Sequence, residues 1–141
     1  MSVRELDCQL SGPQLSEISN AIVGIHRRYS GRGATKARSF QVTDDLVLVE
    51  LRDAYLAMER TLIQRGHGPT VRQTRLVFQE AMQRELVDVL ERITGRGVLS
   101  YTSESLAVPE AILEIFYLEP TSQGVAALAQ LPTSARRAAE S

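Results

Sequence analysis

The stretch from Tyr29 to Leu51, YSGRGATKARSFQVTDDLVLVEL, sets the reading of the chain on either side of it. Upstream, Leu15, Ile18, Ile22, Ile25 and Tyr29 recur at steps of three or four, which places one apolar stripe along a helix. The helix is expected to end at Gly31, because glycine adopts the left-handed terminal conformation without a Cβ penalty. Downstream, Ala37 to Val42 and Leu46 to Leu51 are rich in β-branched and aliphatic residues and read as strands. The link Thr43-Asp44-Asp45 is short and polar, so the two strands form a hairpin.

The same order returns further on. Asp53 is placed to cap a short helix running to about Gln64, and Gly66-His67-Gly68-Pro69 then breaks the chain. Thr70 and Gln73 have capping-box form. Val71, Phe78, Met82, Leu86, Val89, Leu90 and Ile93 trace an apolar face that ends at Gly95. Gly95-Arg96-Gly97 answers Gly31-Arg32-Gly33, and Val98 to Ser105 and Ala111 to Leu118 form a second strand pair around a loop with Pro109. The expected fold is α+β, a duplicated αββ unit giving a four-stranded, largely antiparallel sheet with helices on one face. If Phe40, Val42, Val47, Val49, Leu99, Tyr101 and Ile115 do not all fit inward, the remainder forms a homodimer interface or a ligand floor.

At 141 residues with 43% hydrophobic content, the chain suits one core. The expected division is an N-terminal extension over 1–12, the α+β domain over 13–119, and an Ala-rich tail over 120–141 too poor in bulky apolar groups to order itself. There is no run of apolar residues long enough to span a membrane, and the first residues carry acids where a leader needs an apolar run, which points to the cytoplasm. Cys8 is the only cysteine, so no internal disulfide can form.

Sixteen basic residues against seventeen acidic ones give a net charge of -1, without the overall basic balance of many nucleic-acid binders. Phosphate-loop and dinucleotide-binding glycine patterns do not occur, and His26, His67 and Cys8 lack zinc-ligand spacing, so neither cofactor nor metal is expected. From His26 to Gln41, however, Arg27, Arg28, Arg32, Lys36 and Arg38 occur without an acid. Such a stripe suits nucleic acid, an acidic partner or an anionic lipid surface, although its bland reading is a solvated helix end favoured by the dipole. Arg32 and Arg96 are candidate anion ligands, since a guanidinium makes two-pronged contacts with oxyanions; the competing reading is that the glycines only turn helix into strand. Glu59, Arg72, Arg75, Glu80 and Glu85 have ordinary helix-surface spacing, and His26 and His67 read as surface or capping histidines. No catalytic constellation emerges, so the chain is expected not to be an enzyme.

Five segments together resemble the MpsC-like domain, a bacterial family named after a sodium-translocating, membrane-potential-generating system. They are the helix leading into Tyr29-Ser30-Gly31-Arg32-Gly33, the strand pair ending Val47-Leu48-Val49-Glu50-Leu51, the Leu56 to Leu62 segment with Glu59, the Val71-Arg72 to Arg75 helix entry, and Ile93-Thr94-Gly95. The resemblance singles out Gly31, Arg32, Gly33, Glu59 and Arg75. It implies an accessory protein, expected as a homodimer, beside a membrane system that moves ions or inorganic carbon. The alternative is a nucleic-acid-binding or small-anion-sensing module using the basic GRG region. The Ala-rich extension after Pro120 and Arg52-Asp53-Ala54-Tyr55 depart from the family pattern.

Overall fold

In the computed structural model, residues 8–32, 34 and 36–121 are described. Gly33 and most of the expected tail lie outside the described residues. Helix α1 covers Gly12–Ser30, β1 Lys36–Thr43, β2 Leu46–Arg52, α2 Ala57–Gln64, α3 Gly68–Thr94, β3 Val98–Leu106 and β4 Ala111–Leu118. The four strands make one sheet in the order β1-β2-β4-β3, and every neighbouring pair is antiparallel. The two hairpins therefore meet along β2 and β4, with β1 and β3 at the edges.

Both predicted helix stops are present. Gly31 and Gly95 adopt left-handed φ values of 79° and 70°, and each donates its N–H back to the carbonyl four residues earlier. The helix starts differ from expectation. For α1, Ser11 and Gln14 form a reciprocal capping box. Asp53 does not cap α2; it sits at φ 54°, and Leu56 holds the cap position, where its N–H donates to Glu59 Oε1 at 2.8 Å. Thr70 does not cap α3 either, because the helix begins earlier, at Gly68 after His67, with proline in its first turn.

One face of the sheet carries the core. Val47, Val49 and Leu51 on β2 and Ile112, Phe116 and Leu118 on β4 point toward the helices and are almost fully buried. Ile18, Ile22 and Ile25 of α1 and Met82, Leu86, Leu90 and Ile93 of α3 close over them. Each such side chain is worth roughly 1.5–3 kcal/mol on burial. Helix α1 packs on β1 and α3, while α3 runs over β3, so both long helices cover the same face. Buried Ser19 shares a 2.6 Å hydrogen bond with Ser39, which fixes α1 on β1.

The core reaches back before Pro13, into the segment expected to be an extension. Cys8 and Leu10 are buried, and Gln41 of β1 holds this segment by accepting from Leu10 N at 2.7 Å and donating to Cys8 O at 2.6 Å. Phe78, expected on the buried stripe of α3, is 41% exposed. Between Val71 and Met82 no residue of α3 is buried; this part of the 27-residue helix lies beside α2, the link at Ala54 and Tyr55, and the end of α1 rather than under the central strands.

Among the described residues, no helix lies over the opposite face of the sheet. Arg38, Phe40, Leu46, Leu48, Glu50, Leu113, Ile115, Tyr117, Thr102 and Glu104 alternate out of phase with the core residues and point there. Of the apolar set weighed from sequence, Val47, Val49 and Tyr101 face inward. Phe40, Val42, Leu99 and Ile115 do not.

Candidate functional site

The two GRG arginines occupy opposite ends of the sheet and act as clamps. Arg32 pairs with Asp53 at 3.0 Å and donates to Tyr55 O, tying the end of α1 to the link after β2. Arg60 of α2 joins the same corner by bridging Asp53 and Glu110. Arg96 pairs with Asp45 and donates to the carbonyls of Asp44 and Glu119, tying the end of α3 to the first turn and to the end of β4. Both guanidiniums thus spend their donors on the chain itself. Although the corners are similar in kind, their partners differ.

The basic residues of the predicted stripe do not share a surface. Arg27 lines an open groove between α1 and α3, and Arg28 pairs there with Glu85 at 2.6 Å. Glu85 also accepts from Tyr29 Oη at 2.6 Å; that bond, followed by Arg28, holds its carboxyl below the usual range. Lys36 and Arg38 lie on the uncovered sheet face, in a shallow basin with Glu50, Arg52, Asp53 and Glu110. Arg96 is at the far end of the sheet. This separation removes the continuous cationic track that nucleic-acid binding would require.

A more concentrated set of polar groups lies where α1, α2 and α3 meet. Arg75 Nη2 pairs with Glu59 Oε1 at 2.6 Å, and the two side chains are only 14% and 11% exposed. The Arg75 guanidinium also donates to Ala54 O and lies over the Tyr55 ring, 4.4 Å from its centroid, while its buried Nε has no hydrogen-bond partner among the described residues. Beside this pair is a cavity of about 160 Å³ whose lining includes His26, Ser30, Leu56, Met58 and Phe78.

His26 is not a surface histidine. Its Nε2 lies 3.0 Å from Glu114 Oε1 in the interior, and Tyr101 Oη donates to the other oxygen of Glu114. Burial, followed by the Glu114 charge, pushes the Tyr101 hydroxyl well above its ordinary value. The three groups form a closed chain from helix to central strand to edge strand. A signal for it was present in the sequence: on β4 the inward positions are Ile112, Glu114, Phe116 and Leu118, and a carboxylate among them requires a buried partner. His26 stands four residues after Ile22, on the buried side of α1.

Among the described residues, no group of three His, Cys, Asp or Glu side chains is placed to hold a metal ion, and no helix is long and apolar enough to cross a membrane. His67 precedes α3 in its connector, and Cys8 Sγ lies 3.5 Å from Thr121 Oγ1.

These features define a class: a small α+β domain with a two-helix cover on one sheet face, a buried carboxylate-centred network and a second face that none of the described helices covers. The family model described as "Na+-translocating membrane potential-generating system (MpsC)" matches residues 12–120, and the chain belongs to this family. No curated protein and no solved structure matches it.

Proposed function

We propose that this chain is a non-catalytic, cytoplasmic accessory module that works beside a sodium-translocating membrane system and binds protein through the open face of its sheet. The observation that carries this reading is the composition of that face. An antiparallel sheet with one wet side ordinarily alternates apolar and polar residues. Here the outward positions of the two central strands include Leu46, Leu48, Leu113, Ile115 and Tyr117, and Phe40 stands beside them. Phe40 is 39% and Tyr117 48% exposed. A contiguous apolar band of this kind marks an interaction surface.

The polar groups support the non-catalytic part. Glu59 and Arg75 are engaged with each other, and His26, Glu114 and Tyr101 are joined in one chain, so these side chains serve to position the helices on the sheet. The family description supplies the membrane context.

Affinity recovery of the tagged full chain from detergent-solubilised membranes of its native host tests the reading. Subunits of an ion-transport system are expected to co-elute with the parent and to be lost with Ile115→Glu. Recovery of the same subunits by a folded Ile115→Glu variant refutes it.

A further inference from the structure

On the open face, the antiparallel register sorts outward side chains into rows. Arg38, Glu50, Leu113 and Glu104 share one row; Phe40, Leu48, Ile115 and Thr102 share the next; Leu46, Tyr117 and Ser100 follow. Arg38 on edge strand β1 and Glu104 on edge strand β3 therefore carry opposite charge at the two ends of one row. Among the described residues neither forms an ion pair. Arg38 instead lies over the Phe40 ring, 5.4 Å from its centroid.

Resting on the open face as the binding surface, we propose that its occupant is a second copy of this chain, so that the pair rather than the single chain meets the transport system, packed face to face about a two-fold axis parallel to the strands between β2 and β4. Such an axis exchanges β1 with β3 and β2 with β4 while keeping every row at the same height. Arg38 of each copy then meets Glu104 of the other, Leu48 meets Ile115, and Leu46 meets Tyr117. The interface is self-complementary, as a two-fold contact must be. An in-plane axis across the strands instead brings the Arg38 end of the face over the opposite end of the other sheet. There β1 offers Val42 and Thr43, which carry no charge for Arg38.

The size of the face sets the strength of the contact. Strands of this length, with a rise of about 3.4 Å per residue and a spacing of about 4.8 Å, present about 500 Å² per copy. The total of about 1,000 Å² is near the lower limit for a specific interface, so the pair associates in the micromolar range and opens on dilution.

Sedimentation velocity of the full chain between about 1 and 100 µM, in low and high salt, tests the arrangement. The parent is expected to be dimeric at the upper concentration and to weaken as salt rises. Arg38→Glu and Glu104→Arg are each expected to weaken dimerisation at least tenfold, and the doubly reversed variant to return to within about threefold of the parent. Circular dichroism establishes that each variant is folded. A parent that stays monomeric at 100 µM overturns the proposal, as does a dimer indifferent to both single reversals. If the chain is monomeric and Ile115→Glu still abolishes recovery of transport subunits, the open face binds another protein and only the second copy is refuted. If a dimer is unchanged by the charge reversals and by Ile115→Glu, and Ile115→Glu also leaves transport-subunit recovery unchanged, both readings fail.

Discussion

Replacing Arg75 by Met would leave the Glu59 carboxylate in a nearly closed site with the Leu56 N–H as its remaining hydrogen-bond donor. Removing one partner of a buried pair costs about 3–5 kcal/mol. The pair here is 14% and 11% exposed, which places Arg75→Met near the lower end, about 3 kcal/mol. Glu59→Gln should be milder, about 1.5 kcal/mol, because a charged group loses one of its hydrogen bonds without being stranded. The amide oxygen still accepts from Leu56, and the guanidinium keeps Ala54 O and the Tyr55 ring. The double variant should cost about 2 kcal/mol, well below the sum, since the stranded charge is gone. Urea unfolding followed by far-ultraviolet circular dichroism measures all three. For a domain of this size, the Arg75→Met loss corresponds to a fall in Tm of about 12 °C. An Arg75→Met variant within 1 kcal/mol of the parent, or costs that simply add, would refute the reasoning.

Two further outcomes follow from the interior and the helix ends. The Tyr101 hydroxyl is raised above its ordinary value of 10.0 in the fold, so its contribution is intact below that pH. It is lost above pH 10, where the unfolded chain releases a proton that the native chain retains, by up to about 1.4 kcal/mol per pH unit. Tyr101→Phe should therefore start less stable at pH 7 and show a shallower decline between pH 10 and 11; equal slopes in the two proteins would contradict this. At Gly95, with φ 70° and open space around its Cβ direction, Gly95→Ala should cost about 1 kcal/mol from backbone strain alone. A stability equal to the parent's in urea would show that the cap relaxes.

The periodic features of the fold were legible in the sequence. Two glycine stops, four strands and both hairpins follow from residue order, because each depends on neighbours in the chain. Helix starts were less so: Asp53 looked like a cap, yet Arg32 and Arg60 hold it at the corner after β2. The ion-pair cluster depends on contacts between residues far apart. Glu59 and Arg75 lie on different helices, so helix-surface spacing assigned them wrongly to solvent, and His26, read as a surface or capping histidine, meets Glu114 88 residues away. The cationic run misled for the opposite reason. Residues close in sequence were separated when the chain passed from helix α1 to the far side of the sheet.

The sparsely buried first half of α3 divides the molecule by local stability. Leu86, Leu90 and Ile93 are locked between α1 and the sheet, whereas the turns from Arg72 to Ala81 bury no side chain and are steadied through Arg75. Their amides, with those of α2, should exchange with solvent through a partial opening that leaves the four strands intact. The protein can thus loosen one end while the sheet keeps its shape.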